Sequence, residues 1–151
     1  MIKNLMLAVV VSAVLLGCDS DKQVVIPESL NATPVAAANQ IVYPNNRSSY
    51  ATTDKNVGCG SKYSAQKQEN IFNSDYKNHW FEWSGTVVLP ESNSTSLNVD
   101  GIGTQDLRVD FAKNGAGYDL FEDQRITVRF LMRRAGGCFL PFSGDYALIV
   151  K

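Results

Sequence analysis

The chain has 151 residues with 14 basic and 15 acidic side chains, one histidine and a formal net charge of −1. A chain of this length holds at most one globular domain beyond its terminal segments. The near-neutral balance gives no bulk electrostatic reason to bind a nucleic acid, because such binding needs a concentrated basic surface. The lone histidine, His79, has no catalytic partner that spacing can assign. We therefore predict a protein with no catalytic residues, no cofactor and no metal, and we do not expect nucleic acid among its partners.

The first 17 residues have the pattern of a bacterial lipoprotein signal peptide. Lys3 supplies a positive charge, and residues 5–16 form an apolar stretch too short to span a bilayer as a mature helix. It ends in Leu-Leu-Gly before Cys18, which resembles the lipobox of bacterial lipoproteins. The resemblance implies that Cys18 becomes an acylated N-terminus, anchored stably on the periplasmic side of a membrane. Asp19 resembles the inner-membrane retention signal of enterobacterial lipoproteins, and the outer membrane is the alternative.

Two cysteines remain once Cys18 is lipidated, Cys59 and Cys138. In an oxidising periplasm such a pair predicts a disulfide. The bridge would close a loop of about 80 residues, for which the chain-entropy model gives roughly 4 kcal/mol. A zinc site is the poorer alternative, because the two cysteines and His79 supply three ligands where structural zinc takes four.

Residues 18–57 are predicted to form the lipid anchor and a flexible tether. This stretch contains three of the five prolines and is rich in Ala, Asn, Ser and Thr. It therefore carries too little apolar surface to offset the entropy of ordering it. Two short apolar runs, residues 24–26 and 41–43, are candidates for edge strands that dock on the following domain.

Residues 58–151 are predicted to form one small β-domain. Ser61 is a candidate N-cap for a helix over residues 62–73. A long strand follows over residues 76–89, where odd positions are almost all apolar and Gly85 suggests a bulge or bend. Four more strands are predicted over residues 95–102, 105–111, 125–133 and 144–150.

This order of one helix and five antiparallel strands predicts a mainly β fold, an OB-like, partly open five-stranded barrel. Residues 76–88, 108–111 and 121–128 resemble small bacterial OB domains of the tRNA-anticodon-like type. Those domains pair a W-x-G-x-V first strand with a G-x-x-V-x-V fourth strand, and here Gln124 stands in place of the opening Gly. The resemblance covers residues 58–151 and implies a fold rather than a function.

OB barrels bind ligands on the face of strands 2 and 3 and in the flanking loops. Arginines on this face, beside an aromatic platform for stacking, would form a binding site. The interpretation that we favour is that the arginines pair with Glu82, Asp106, Asp110 and Asp123 and only solubilise the barrel. The predicted ligand- or partner-binding residues are Trp80, Arg108, Tyr118, Arg125, Arg129 and Arg133, with Arg134 in the same arginine set.

Three functions are compatible with these features. The preferred prediction is a non-enzymatic protein-binding or adaptor module of the envelope, of the exclusion or assembly type carried by mobile elements. The second is binding of a small anionic or oligomeric ligand, such as a glycan, a headgroup or a nucleic acid, on the arginine-bearing face. The third is metal-dependent hydrolysis with Asp106, Asp110 and Arg108, although their alternation is equally typical of a solvated strand face.

Overall fold

The computed structural model describes residues 41–150. The predicted signal peptide, Cys18, Asp19 and the apolar run at residues 24–26 lie outside the described residues. No helix in the described part exceeds eight residues, well short of a membrane-spanning helix. In chain order the elements are α1 (Tyr50–Val57), α2 (Ala65–Ile71), a π-helical turn (Phe72–Tyr76), β1 (Trp80–Pro90), β2 (Ser94–Asn98), β3 (Leu107–Phe111), β4 (Arg125–Arg134) and β5 (Phe142–Ile149).

The five strands form a closed barrel in the order β1-β2-β3-β5-β4, so the prediction of a mainly β, five-stranded barrel is confirmed. The long first strand pairs with β4 along its first half and with β2 along its second half. The barrel is closed, and the prediction that all of its strands are antiparallel is wrong. β3 and β5 pair in parallel, from Leu107 opposite Phe142 to Phe111 opposite Ala147, and this pairing closes the barrel.

Alternating residues of β1 and β4 fill the barrel interior. Phe81 and Trp83 of β1 are buried, and so is Phe130 of β4. The centroid of the Trp83 ring lies 5.5 Å from that of Phe81 and 5.3 Å from that of Phe130. Aromatic pairs at this spacing add to the hydrophobic burial of each ring. The apolar alternation predicted for both strands is therefore confirmed as the core-facing side.

Gly85 does not mark a bulge but a close approach of two strands. It pairs regularly with Ile126, and a Cβ at this position would lie 2.7 Å from the carbonyl oxygen of Asn98. The irregularity in β1 falls instead between Val87 and Leu89. This bulge turns Leu89 outward, and its side chain is exposed rather than in the core.

The α1 helix lies in the stretch that the sequence predicts to be tether. Thr53 and Val57 are buried, with 0% and 2% exposure. The Tyr50 ring packs edge-on against Trp83 and Phe142, with centroids 5.5 Å and 5.9 Å apart. The tether boundary at residue 57 is therefore wrong, because α1 packs against core residues of the barrel.

The helix starts differ from the prediction because other serines cap them. The side chain of Ser49 accepts a hydrogen bond from the backbone N–H of Thr52 and so begins α1. Ser64, rather than Ser61, accepts from the N–H of Lys67 and begins α2 at Ala65. The sequence therefore did not predict α1, and α2 begins three residues later than predicted.

A short segment before α1 extends the sheet beside β1. The backbone N–H of Trp80 donates to the carbonyl of Pro44, and the N–H of Asn46 donates to the carbonyl of Trp80, both at 2.8 Å. Asn45 and Trp80 form a parallel bridge. The edge pairing predicted for residues 41–43 thus occurs a few residues later, while Ile41 is exposed.

Tyr146 has a left-handed backbone conformation, with φ of 54°, where β5 slips against β4. A bulky residue rarely adopts this conformation, which costs of order 1 kcal/mol or more. It places the Tyr146 ring centroid 5.6 Å from the guanidinium of Arg133. We expect Tyr146→Gly to be more stable than Tyr146→Ala by about 1 kcal/mol, because glycine adopts positive φ without strain. Urea unfolding of the two variants tests this, and the opposite order of stabilities would contradict it.

Candidate functional site

The loop between β4 and β5 exposes two large apolar side chains. Phe139 is 98% exposed and Leu140 is 74% exposed. The adjacent Cys138 forms a disulfide with Cys59, so the predicted pairing is confirmed. The N–H of Gly137 donates to the carbonyl of Leu140 at 2.8 Å and closes the turn. Contiguous apolar side chains that are exposed to solvent are typical of an interaction surface.

A groove crosses the outer face of β3 and β5 beside this loop. It consists of two adjoining depressions of about 310 Å³ and 400 Å³ that share Arg108, Arg134 and Ser143. We call it the β3–β5 groove. Its first part is largely apolar and its second part is charged, so it offers two kinds of contact along its length. The other lining residues are Leu89, Gln105, Ala135, Leu140 and Pro141 in the first part, and Asp110, Arg133, Gly144 and Asp145 in the second.

Arg108 occupies the centre of the β3–β5 groove and is held by Glu91 and Ser94. Its Nη2 donates to Oε2 of Glu91 at 2.9 Å and to Oγ of Ser94 at 3.3 Å. The Ser94 hydroxyl donates to the same carboxylate oxygen. The Ser94 hydrogen bond and the Arg108 charge hold the pKa of Glu91 below its usual value. Arg108 is therefore fixed in place while 43% of its side chain stays exposed.

The two other arginines of the groove differ in their pairing. Nε of Arg133 donates to Oδ2 of Asp145 at 2.8 Å, and its Nη1 donates to Oδ1 of Asn78. Nε of Arg134 donates to the neutral hydroxyl of Ser143 at 3.0 Å. Within residues 41–150, Arg134 has no carboxylate at salt-bridge distance. Arg134 is thus the groove arginine best able to receive a carboxylate from outside.

A second pocket, of about 200 Å³, lies where residues 45–47 meet β1 and β4. The guanidinium of Arg129 lies 5.3 Å from the centroid of the Trp80 ring. Its Nη2 also donates to Oδ1 of Asn45 at 3.1 Å. We call this site the Trp80 pocket. Its other lining residues are Asn46, Arg47, Phe81 and Glu82.

The predicted arginines do not all gather on one face: Arg108, Arg133 and Arg134 share the β3–β5 groove, whereas Arg129 lies in the Trp80 pocket. On β5, Arg108 lies opposite Ser143, whereas Arg129 lies opposite Leu148. These positions are five residues apart on one strand, which corresponds to about 17 Å. The closed barrel separates them because β5 lies between β3 and β4. Any site built from both arginines at once is therefore ruled out for a small ligand.

The remaining predicted residues divide between the two sites or lie outside them. Arg133 lines the β3–β5 groove, and Trp80 lines the pocket named after it. Tyr118 and Arg125 are exposed and line neither site. Those two positions are useful as controls for the tests below.

The predicted pairing of the arginines with Glu82, Asp106, Asp110 and Asp123 is also wrong for the described residues. The ion pairs found there are Arg108 with Glu91 and Arg133 with Asp145. The alternation of charged residues along the strands suggested the predicted pairs. In the structure Glu91 and Asp145 are the carboxylates within salt-bridge distance of Arg108 and Arg133.

Asp106 is occupied by structural hydrogen bonds. It accepts from the hydroxyl of Tyr50 at 3.0 Å and from the backbone N–H groups of Val99 at 2.6 Å and Asp100 at 3.1 Å. Burial and the Asp106 charge raise the pKa of Tyr50. The hydrogen bonds of the Asp106 carboxylate thus connect Tyr50 of α1 to the loop after β2. In residues 41–150, no three His, Cys, Asp or Glu side chains gather where they could hold a metal ion.

Phe139, Leu140 and Arg47 are among the site residues that the sequence did not point to. A signal for the first two is present, because a pair of large apolar residues stands between Gly-Gly-Cys and Pro141. A stretch bounded in this way by turn residues is not a core strand. For Arg47 the sequence offers no signal, since the pocket forms only when residues 45–47 dock beside β1.

Comparison with known proteins supplies no relative. No protein-family model, curated protein or solved structure matches this chain. The fold and the sites define a small disulfide-bonded β-barrel with a groove beneath an apolar loop. Its function is therefore inferred from the sites themselves.

Proposed function

We propose that this chain is a bacterial envelope lipoprotein whose barrel is a non-enzymatic protein-binding or adaptor module. In this proposal Cys18 anchors it on the periplasmic side, and the inner membrane is favoured by Asp19. The observation that carries the binding role is the exposed Phe139–Leu140 pair beside the β3–β5 groove. Aromatic and arginine side chains are the residues most enriched at the centres of protein interfaces. The disulfide next to Phe139 suits an oxidising compartment.

The chemistry of the groove suits an extended partner segment that carries an apolar side chain next to an acidic one. The apolar side chain would pack between Leu89 and Leu140, which line the same depression. The acidic side chain would pair with Arg134, whose guanidinium is bound only to a neutral hydroxyl in the described residues. The resulting ion pair would be charge-assisted and geometrically specific, since Arg presents a planar fork of donors.

A photo-crosslinking experiment tests this proposal. The full lipidated chain carries a photoreactive residue in place of Leu140 and is irradiated in its native membrane. We expect one discrete protein adduct. Arg134→Glu should reduce its yield about tenfold or more, because charge reversal replaces an attraction with a repulsion of at least ~1.4 kcal/mol.

Two controls come from positions outside the groove. Arg125→Glu makes the same charge reversal on an exposed arginine of β4 and should leave the adduct unchanged. A probe at Tyr118, which is 80% exposed, should give no such adduct. An adduct that survives Arg134→Glu at full yield would refute the groove as the partner site, and adducts to lipid or glycan alone would refute the adaptor function.

The second candidate function, binding of a small anionic ligand, is favoured by the Trp80 pocket and not by the β3–β5 groove. In the groove, Arg108 and Arg133 already face Glu91 and Asp145 at salt-bridge distance. A small anion bound to Arg108 or Arg133 would have to displace a carboxylate, which leaves Arg134 as the one groove arginine without a carboxylate partner within residues 41–150. The Trp80 pocket carries no such ion pair among the described residues.

A further inference from the structure

We propose that the Trp80 pocket binds an acidic sugar, a single sugar unit that carries a carboxylate. The pocket combines in a small concavity an indole wall, one glutamate and two arginines that form no ion pair with any of residues 41–150. It is separate from the β3–β5 groove, so the proposal does not depend on the protein-binding function.

The charges around the pocket favour a single negative charge on the ligand. Arg47, Glu82 and Arg129 surround it, and none of them forms an ion pair in the described part of the chain. Glu82 and Arg129 are direct neighbours across β1 and β4. The Arg129 guanidinium nevertheless donates to the neutral amide oxygen of Asn45. The local net charge is thus +1, and the guanidinium forks match the geometry of a carboxylate.

The uncharged part of the pocket fits a sugar ring. The Trp80 side chain is half-buried, which leaves part of an amphipathic ring as one wall. A sugar has apolar C–H groups that pack on such a ring and hydroxyls that need polar partners. Asn45 and Glu82 supply acceptors for those hydroxyls. The volume of about 200 Å³ is smaller than the ~300–1,000 Å³ of pockets that take drug-sized ligands, so it suits a ligand of one ring.

The wall that carries Arg47 is held in place before any ligand binds. Nδ2 of Asn46 donates to the carbonyl of Asp75 at 2.8 Å, and its Oδ1 accepts from the N–H of Ser48 at 2.8 Å. The Asn46 backbone N–H is bound to the carbonyl of Trp80. Because this wall is already ordered, binding costs less conformational entropy than it would on a mobile loop.

Isothermal titration of the full chain at low ionic strength tests the site, with glucuronate, glucose and inorganic phosphate as probes. We expect glucuronate to bind at least about tenfold more tightly than glucose, which lacks the carboxylate, and than phosphate, which cannot pack on the indole ring. Arg47→Ala and Arg129→Ala should each weaken glucuronate binding about tenfold or more. Arg125→Ala, an exposed arginine on the same strand as Arg129, should leave it unchanged.

The Arg129→Lys variant separates binding from folding, because it keeps the charge and removes the donor fork. It should weaken glucuronate binding at an unchanged thermal midpoint. No glucuronate binding by the wild-type chain, equal affinity for phosphate, or an equal loss in Arg125→Ala would overturn the proposal. Arg134→Glu should bind glucuronate like the wild type, so failure at this pocket is distinguishable from failure of the protein-binding function.

Discussion

A chain that begins at Gly58 is expected to lose cooperative unfolding, whereas a chain that begins at Ile41 is expected to retain it. The first truncation removes α1 and with it the fully buried Thr53 and Val57. It also removes the Tyr50 ring, which packs against core aromatic residues. Burial of such side chains contributes about 1.5–3 kcal/mol each. The loss is therefore on the order of 4 kcal/mol or more, a large share of the ~5–15 kcal/mol that stabilises a typical domain.

Urea unfolding, monitored by tryptophan fluorescence, distinguishes the two truncations, because Trp83 contacts the ring of Tyr50 in α1. Both chains keep Cys59 and Cys138, so the disulfide is not a variable. Lys55→Ala, which changes an exposed side chain of α1, should leave the full chain within about 0.5 kcal/mol of wild type. A chain from Gly58 onward with the stability of the longer one would show that α1 is dispensable.

Replacing both Cys59 and Cys138 with serine is expected to lower the free energy of unfolding by about 4 kcal/mol. The reason is the sequence separation of 79 residues, which gives the unfolded chain a large loop to open. The same change should reduce crosslinking from Leu140, because the loop between β4 and β5 loses the bond next to Phe139. Loss of order in that loop adds an entropic cost to any partner binding there.

Single replacements provide the matched control for the disulfide. Cys59→Ser and Cys138→Ser should each resemble the double variant in urea unfolding, because either one abolishes the bridge. Limited digestion with a protease that cuts after aromatic residues should cleave at Phe139 faster in all three variants than in the wild type. Unchanged stability and unchanged cleavage in the double variant would contradict a stabilising role for the disulfide.

Strand positions were predictable because apolar and polar residues alternate along each strand, and this alternation can be seen in the sequence. In β4, Ile126, Val128 and Phe130 are buried, while Arg125 and Arg129 on the opposite side of the strand are exposed. This period of two is set by backbone geometry and needs no tertiary information. The prediction for β2 was less accurate. It ends at Asn98 rather than at residue 102, because Gly101 and Gly103 adopt positive φ and turn the chain.

Barrel closure and α1 were not predictable because both depend on contacts between distant parts of the chain. The parallel pairing of β3 with β5 follows no local pattern. The α1 helix has few apolar residues. It is stable because Tyr50 packs against Trp83 and Phe142 and because Val57 belongs to the hydrophobic core. Packing of this kind overrides weak local propensity.

The candidate sites were predictable in residue type but not in arrangement. The sequence singles out Trp80 and the arginines because exposed arginine and tryptophan are typical of binding surfaces, and Trp80, Arg108, Arg129 and Arg133 do line the two concavities. Which of them share a concavity depends on the order of strands around the barrel. Arg108 and Arg129 each alternate with apolar residues along a strand and so look equivalent in the sequence. In the structure Arg108 lies in the β3–β5 groove and Arg129 in the Trp80 pocket.

Closure of the barrel by the parallel pairing of β3 with β5 affects the order in which the protein folds as it is synthesised. The strands β1 and β3 must each wait for a partner that emerges later, since β1 pairs with β4 and β3 pairs with β5. The helix α1 likewise waits for Phe142, which lies in the last strand. As the chain leaves a ribosome or a secretion channel, the apolar faces of β1 to β3 stay uncovered until the final 30 or so residues appear. We therefore expect the barrel to close only after β5 has emerged.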